Sequence, residues 1–147
     1  MEPKSNVEAY SPEEELANAW THGIAALLAL VGTVLLLLKT PSSSEEKLVS
    51  FFVFGLSMIL LYTASTAYHS VKSQHRKSLY KKLDHIAIYV LIAGTFTPFC
   101  WVVLREEALG INVLIAVWAI AFAGAIFKIF FTGKLEALSL ISYLGMG

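Results

Sequence analysis

Uncharged apolar runs recur along the chain at a length set by a lipid bilayer. From Leu16 to Leu38 there is no Asp, Glu, Lys or Arg over roughly 23 residues, and about 20 suffice for a helix to cross a ~30 Å hydrocarbon core. The runs Leu48 to Val71, Leu83 to Leu104 (interrupted only by Asp84 at its start) and Ala108 to Phe127 pass the same test. Their connectors are short and polar: Lys39 to Lys47, Lys72 to Lys82, Arg105 to Glu107 and Lys128 to Glu136. Backbone groups in lipid must bond within their own segment, so the pattern predicts an all-α fold, a polytopic transmembrane helical bundle with full spans at 16–38, 48–71, 83–104 and 108–127. A last apolar stretch, 137–147, is about 11 residues or ~16 Å of helix, half a membrane. It reads as a re-entrant or interfacial helix, or as the start of a fifth span cut off by truncation, and the second reading is preferred. Residues 1–15 form a polar N-terminal segment with five glutamates and no signal-peptide pattern, and 16–147 form a single transmembrane domain.

Composition narrows the class. Of 147 residues 56% are hydrophobic and 15% charged, which argues against a disordered chain. Eleven basic and eleven acidic residues cancel, so no overall field steers nucleic acid, and no nucleic-acid partner is expected. The single cysteine, Cys100, lies between Phe99 and Trp101 and reads as a buried, inert thiol. The placement of charge says more than the total. Lys4, Lys72, Arg76, Lys77, Lys81, Lys82, Lys128 and Lys134 fall on one side of the predicted bundle, against Lys39, Lys47 and Arg105 on the other. Eight against three predicts a cytoplasmic N-terminus. The Lys72 to Lys82 loop, with His75 inside it, reads mainly as that orientation signal and secondly as a binder of lipid head groups.

Ionisable groups inside a span are costly and usually functional. Here they are His22, His69, Asp84 and His85, which the topology brings to one depth near the cytoplasmic face. Asn18 and Ser65 lie four residues before His22 and His69, so each histidine has a candidate partner on its own helix. Pro98 cannot bond the Gly94 carbonyl, which predicts a kink; that carbonyl then lines a cavity, or Thr95 and Thr97 re-satisfy the backbone. Plainer readings stand beside these. His22 and His85 suit a hydrated interface, Asp84 suits a helix N-cap, and Ser65 suits close helix packing. Trp20, Tyr62, Tyr68 and Trp101 read as interface and packing aromatics.

Four ordered stretches carry a family resemblance: Glu14-Glu15-Leu16-Ala17-Asn18-Ala19-Trp20-Thr21-His22-Gly23, Ser65-Thr66-Ala67-Tyr68-His69, Leu83-Asp84-His85 and Ala93-Gly94-Thr95-Phe96-Thr97-Pro98. Together they resemble the haemolysin III proteins, which belong with the adiponectin and progestin receptors and the alkaline ceramidases; Tyr143 to Gly147 resembles the start of that family's fifth helix. The resemblance implies seven helices in a cell membrane, of bacterial plasma-membrane type, with a cytosolic N-terminus and a zinc site near the cytoplasmic face. His69 would be a zinc ligand, Asp84 and Ser65 catalytic groups, with Asp84 handling the attacking water and Ser65 completing a serine-x-x-x-histidine element. Asn18, His22, His85 and Pro98 remain supporting or structural candidates. The family's other two ligands come from a histidine-x-x-x-histidine element on the last helix, and this chain ends before it, so the zinc site is expected to be incomplete here.

Three functions follow as expectations. The first is a zinc-dependent membrane hydrolase of lipid amide or ester bonds, with membrane lipids as partners and a lipid as substrate; the truncated chain is expected to be inactive. The second is a cytolytic or pore-forming haemolysin with a structural metal site. A receptor-like membrane protein ranks last.

Overall fold

The computed structural model describes residues 10–132 and 135–147, so Lys4 and Lys134, counted above, lie outside the described residues. Every regular element described is helical: α1 (Pro12–Lys39), α2 (Glu45–Ser70), α3 (Gln74–Pro98), a π-helical segment (Phe99–Val103), α4 (Ala108–Phe131) and α5 (Glu136–Met146). α1 to α4, with the π-helical segment continuing α3, are each long and apolar enough to cross a membrane. Consecutive helices pack antiparallel, α1 on α2, α2 on α3 and α3 on α4, while α5 lies against α3 and α4.

Local chemistry sets the helix ends. At α1, Glu14 N–H donates to Ser11 Oγ (3.2 Å) and Ser11 N–H donates to Glu14 Oε2 (2.7 Å), a capping box followed by Pro12 in the first turn. The third helix begins at Gln74, well before the apolar run at Leu83, and the connector from α2 shrinks to 71–73. Hydropathy marks only the part of a helix immersed in lipid. Arg, Lys and Gln are good helix formers, so the helix runs on through the polar turn of Gln74 to Lys82.

The bend expected at Pro98 takes the form of a change of register. Immediately after the proline the chain widens to a π-helix, with Leu104 N–H donating to Phe99 C=O at 3.1 Å. Thr95 and Thr97 donate to the carbonyls of Leu91 (2.8 Å) and Ala93 (2.9 Å), not to that of Gly94. Trp118 Nε1 in turn donates to Thr97 Oγ1 at 3.1 Å, joining α4 to α3. Cys100 is buried as a free thiol within the π-helical segment.

Small residues let the helices approach. A Cβ at Gly55 would overlap Thr33, one at Gly94 would overlap Ser57, and one at Gly124 would overlap the Tyr89 ring. The apolar centre is Tyr89, Ala93, Val117, Ala121 and Met146. Outward-facing Leu28, Leu38, Phe122 and Phe130 are exposed and meet the lipid. Lys128, assigned by hydropathy to a loop, instead sits in the last turn of α4 with a side chain 0% exposed. Its Nζ donates to Glu136 Oε2 at 3.0 Å, and the apolar run continues past it to Phe131, so this is a buried ammonium paired with a half-exposed carboxylate rather than a loop charge. Burial pushes the Glu136 carboxyl up, but the hydrogen bond and charge of Lys128 outweigh it and hold the group below its ordinary value.

Two stability predictions follow from this packing. Gly124→Ala drives a methyl into the buried Tyr89 ring and is expected to cost about 1–3 kcal/mol of unfolding free energy in detergent. Gly32→Ala, with nothing within 4 Å of the new Cβ, is expected to be neutral or stabilising. Glu136→Gln removes the charge that faces a buried ammonium and should cost about 1–3 kcal/mol, the carboxylate being half exposed, and more than Lys128→Met, which removes the charge itself; equal losses in thermal unfolding would contradict the pairing.

Candidate functional site

The first turns of α1 lie beside the last turns of α2. On α1, Glu15, His22 and Ala29 recur every seven residues along one face, and each of the two polar members meets α2. His69 Nδ1 lies 2.7 Å from Glu15 Oε2, with the histidine side chain 7% exposed and the glutamate 17%. An ionised carboxylate only accepts, so Nδ1 carries the proton and Nε2 of a neutral ring keeps its lone pair. The other carboxylate oxygen, Oε1, accepts from Lys77 Nζ of α3. One α1 side chain thus joins α2 to α3. Aromatic rings enclose the histidine: Tyr68 at 4.7 Å between centroids and Tyr10 edge-on at 5.5 Å. Lys77 Nζ also stands 5.3 Å from the Tyr68 ring centroid.

His22 makes the second contact across the same seam. Its Nδ1 is 2.7 Å from Oγ of buried Ser65, and its ring lies 5.8 Å from that of His69 and 5.9 Å from that of Tyr62. The partners therefore differ from those suggested by spacing along each helix. His22 pairs with Ser65 rather than Asn18, and His69 with Glu15 rather than Ser65. Residues four apart on one helix have Cβ atoms about 5–6 Å apart and project side by side, whereas side chains across a packed seam point at one another. Asn18 contributes its backbone carbonyl, which accepts from Thr21 Oγ1 at 3.2 Å.

Asp84 and His85 diverge. Asp84 is half-buried about three turns inside α3, whose N-cap is Ser73, so it does not cap the helix. It makes no hydrogen bond to another described residue, and its charge acts on Tyr68, the neighbour of His69, and also on His85 and Tyr143. His85 belongs to the α4 and α5 side. Its backbone carbonyl accepts from Tyr143 Oη at 3.1 Å, the charges of Lys128 and Glu136 act on its ring, and its buried Nδ1 has no hydrogen-bond partner among the described residues. Pro98 is ~20 Å further along α3 from His85, toward the opposite membrane face.

A groove of about 800 Å³ opens beside His69. Leu16, Trp20, Ile24 and Leu27 form its apolar wall along α1, and His69 and Lys77 lie at its polar end. Among the described residues no three His, Cys, Asp or Glu side chains are placed to share a metal ion. Sequence reasoning missed Glu15 and Lys77. The available signal was the seven-residue step from Glu15 to His22, which puts both on one face of α1.

The family described as haemolysin-III related matches residues 10–147, a stretch that includes α1 to α5 and every residue of this site. The chain belongs to the haemolysin III family. It is 45% identical over 139 residues to "Hemolysin-3 homolog" of Bacillus subtilis (strain 168), covering 94% of this chain and 65% of that protein. It is 43% identical over 136 residues to "Hemolysin-3" of Bacillus cereus, covering 92% of this chain and 62% of the relative. A shorter likeness, 33% over 92 residues, links it to "Adiponectin receptor protein" of Drosophila melanogaster, covering 59% of this chain and 20% of that protein. The chain thus spans less than two thirds of the length of these curated relatives. Together with the four apolar helices, membership of the haemolysin III family makes this a multi-pass membrane protein in contact with membrane lipids.

The crossed pairing has a direct test. Ser65→Ala leaves His22 Nδ1 without its partner and is expected to cost about 1–3 kcal/mol in lipid or detergent, with Ser65→Thr retaining most of the stability. A neutral alanine variant in the same thermal assay would make Ser65 only a packing residue.

Proposed function

We propose that this haemolysin III chain carries part of the catalytic centre of a zinc-dependent membrane hydrolase that cleaves an amide or ester bond of a lipid, with the N-terminus and the centre on the cytoplasmic side. The observation that carries this reading is the carboxylate-backed His69: Glu15 engages Nδ1 and leaves Nε2 as a metal-competent donor. A catalytic zinc takes three protein ligands and a water, and the described residues supply one corner of that set. His69 would hold the ion. Zinc, when bound, supplies Lewis acidity and lowers the pKa of water to about 7.

The chain's own residues do the rest. Asp84, free of hydrogen bonds to other described residues, orients the attacking water and takes its proton. Ser65 lies one turn from His69 and is held by His22 at 2.7 Å. With His22 Nδ1 protonated, that ring donates to Ser65 Oγ and frees the hydroxyl proton for a developing oxyanion. The groove supports a lipid substrate, since its apolar wall runs down α1 while its polar end is His69 itself. The excess of Lys and Arg on this side of the bundle supports the cytoplasmic assignment.

The test uses the complete coding sequence that contains this chain. The purified protein is expected to hold zinc and lose it in His69→Ala. Asp84→Asn is expected to keep the metal while lipid amide or ester hydrolysis falls at least about 100-fold. Red-cell lysis measured in parallel separates the pore-forming reading: lysis without hydrolysis in the parent, or a parent with no zinc, would overturn the hydrolase.

A further inference from the structure

Glu15 lies outside the apolar run and within the polar N-terminal segment of the sequence, yet it is the hydrogen-bond partner of the best-placed histidine in the molecule. Resting on the reading of His69 as a zinc ligand, we infer that Glu15 is a positioning residue: its carboxylate fixes His69 in the Nδ1-protonated tautomer and aims Nε2, while Lys77 clamps the carboxylate from α3.

Four observations converge on that role. Both carboxylate oxygens are committed, Oε2 to His69 Nδ1 at 2.7 Å and Oε1 to Lys77 Nζ, so Glu15 has no free oxygen with which to swing away. The contact is shielded, with His69 7% and Glu15 17% exposed, and a charge-assisted hydrogen bond strengthens as water is excluded. The rival orienter, Ser65, is occupied by His22. Tyr68 and Tyr10 stand at 4.7 and 5.5 Å from the His69 ring and restrict its rotation, so the tautomer and the direction of Nε2 are set together. A solvated neutral histidine side chain favours protonation at Nε2, which would cover the lone pair a metal needs. The carboxylate reverses that preference. Because the carboxylate comes from α1, the histidine from α2 and the ammonium from α3, the packing of three helices and the basicity of one ring become a single property.

The test needs no metal for its primary readout. This chain, labelled with ¹⁵N-histidine and held in lipid nanodiscs at mildly alkaline pH, is expected to show His69 protonated at Nδ1 and bare at Nε2, the resonances assigned with His69→Gln. Glu15→Ala is expected to move His69 toward the Nε2-protonated form, and Glu15→Gln, which keeps an acceptor oxygen, to retain most of the original pattern. Lys77→Met should shift part of the population in the alanine direction. Zinc affinity of the complete protein is expected to fall about 10–100-fold in Glu15→Ala. An Nε2-protonated His69 in the unsubstituted chain overturns the inference, whether or not the variants fold. So does a folded Glu15→Ala with the tautomer unchanged. If the complete protein binds no zinc while His69 is Nδ1-protonated through Glu15, the positioning stands and the hydrolase reading alone fails.

Discussion

A polar side chain buried in the hydrocarbon layer has no water to bond instead, and leaving it unpaired costs free energy on the scale of a whole helix contact. This chain carries several such groups in its four spans, and the need to pair them decides how the helices meet. Hydroxyls of Thr33 and Ser57 bond carbonyls of their own helices and ask nothing of a neighbour, while that of Thr97 bonds its own helix and also accepts from Trp118 of α4. The groups that cannot be satisfied within one helix reach across: Glu15 to His69 and Lys77, His22 to Ser65, Lys128 to Glu136. The glycines at 55, 94 and 124 bring neighbouring helices into close approach elsewhere, against Thr33, Ser57 and Tyr89.

The same constraint makes the site. The pairings made by Glu15 and His22 gather at one end of the α1–α2 seam, where they put two imidazoles 5.8 Å apart beside a serine, a carboxylate and an ammonium. A soluble protein could solvate such groups on its surface at little cost. In lipid they hold one another, so the interaction that locks α1 onto α2 is also the one that sets the chemistry of His69. Lys128 and Glu136 do the corresponding job between α4 and α5, and His85, on whose ring their charges act, belongs to that second cluster rather than the first.

The helical class and the haemolysin III resemblance were legible in the sequence because both rest on contiguous signals: apolar runs the length of a bilayer, and four ordered motifs. Helix ends were less legible. Hydropathy reports immersion in lipid, so it missed the polar first turns of α3 and put Lys128 in a loop, although α4 runs past it to Phe131. The membership of the site was partly legible. His22, Ser65 and His69 stand out as polar residues in apolar helices and do meet, but which one holds which depends on the register of α1 against α2, a quantity no single helix encodes. Glu15 and Lys77 escaped notice for the opposite reason. They sit among other charges, where a functional carboxylate looks like any first-turn glutamate and a clamping lysine like an orientation signal.

The central claim, that the ionisable side chains at the helix seams of this bundle are paired between helices rather than along them, is tested most directly by an internuclear distance. Solid-state NMR on the chain in lipid bilayers, with ¹³C at the Glu15 carboxyl and ¹⁵N at His69 Nδ1, is expected to give a separation of about 3.5 Å, as a hydrogen bond demands. A separation beyond about 6 Å, more than any hydrogen-bonded pair allows, would contradict the seam and the account built on it.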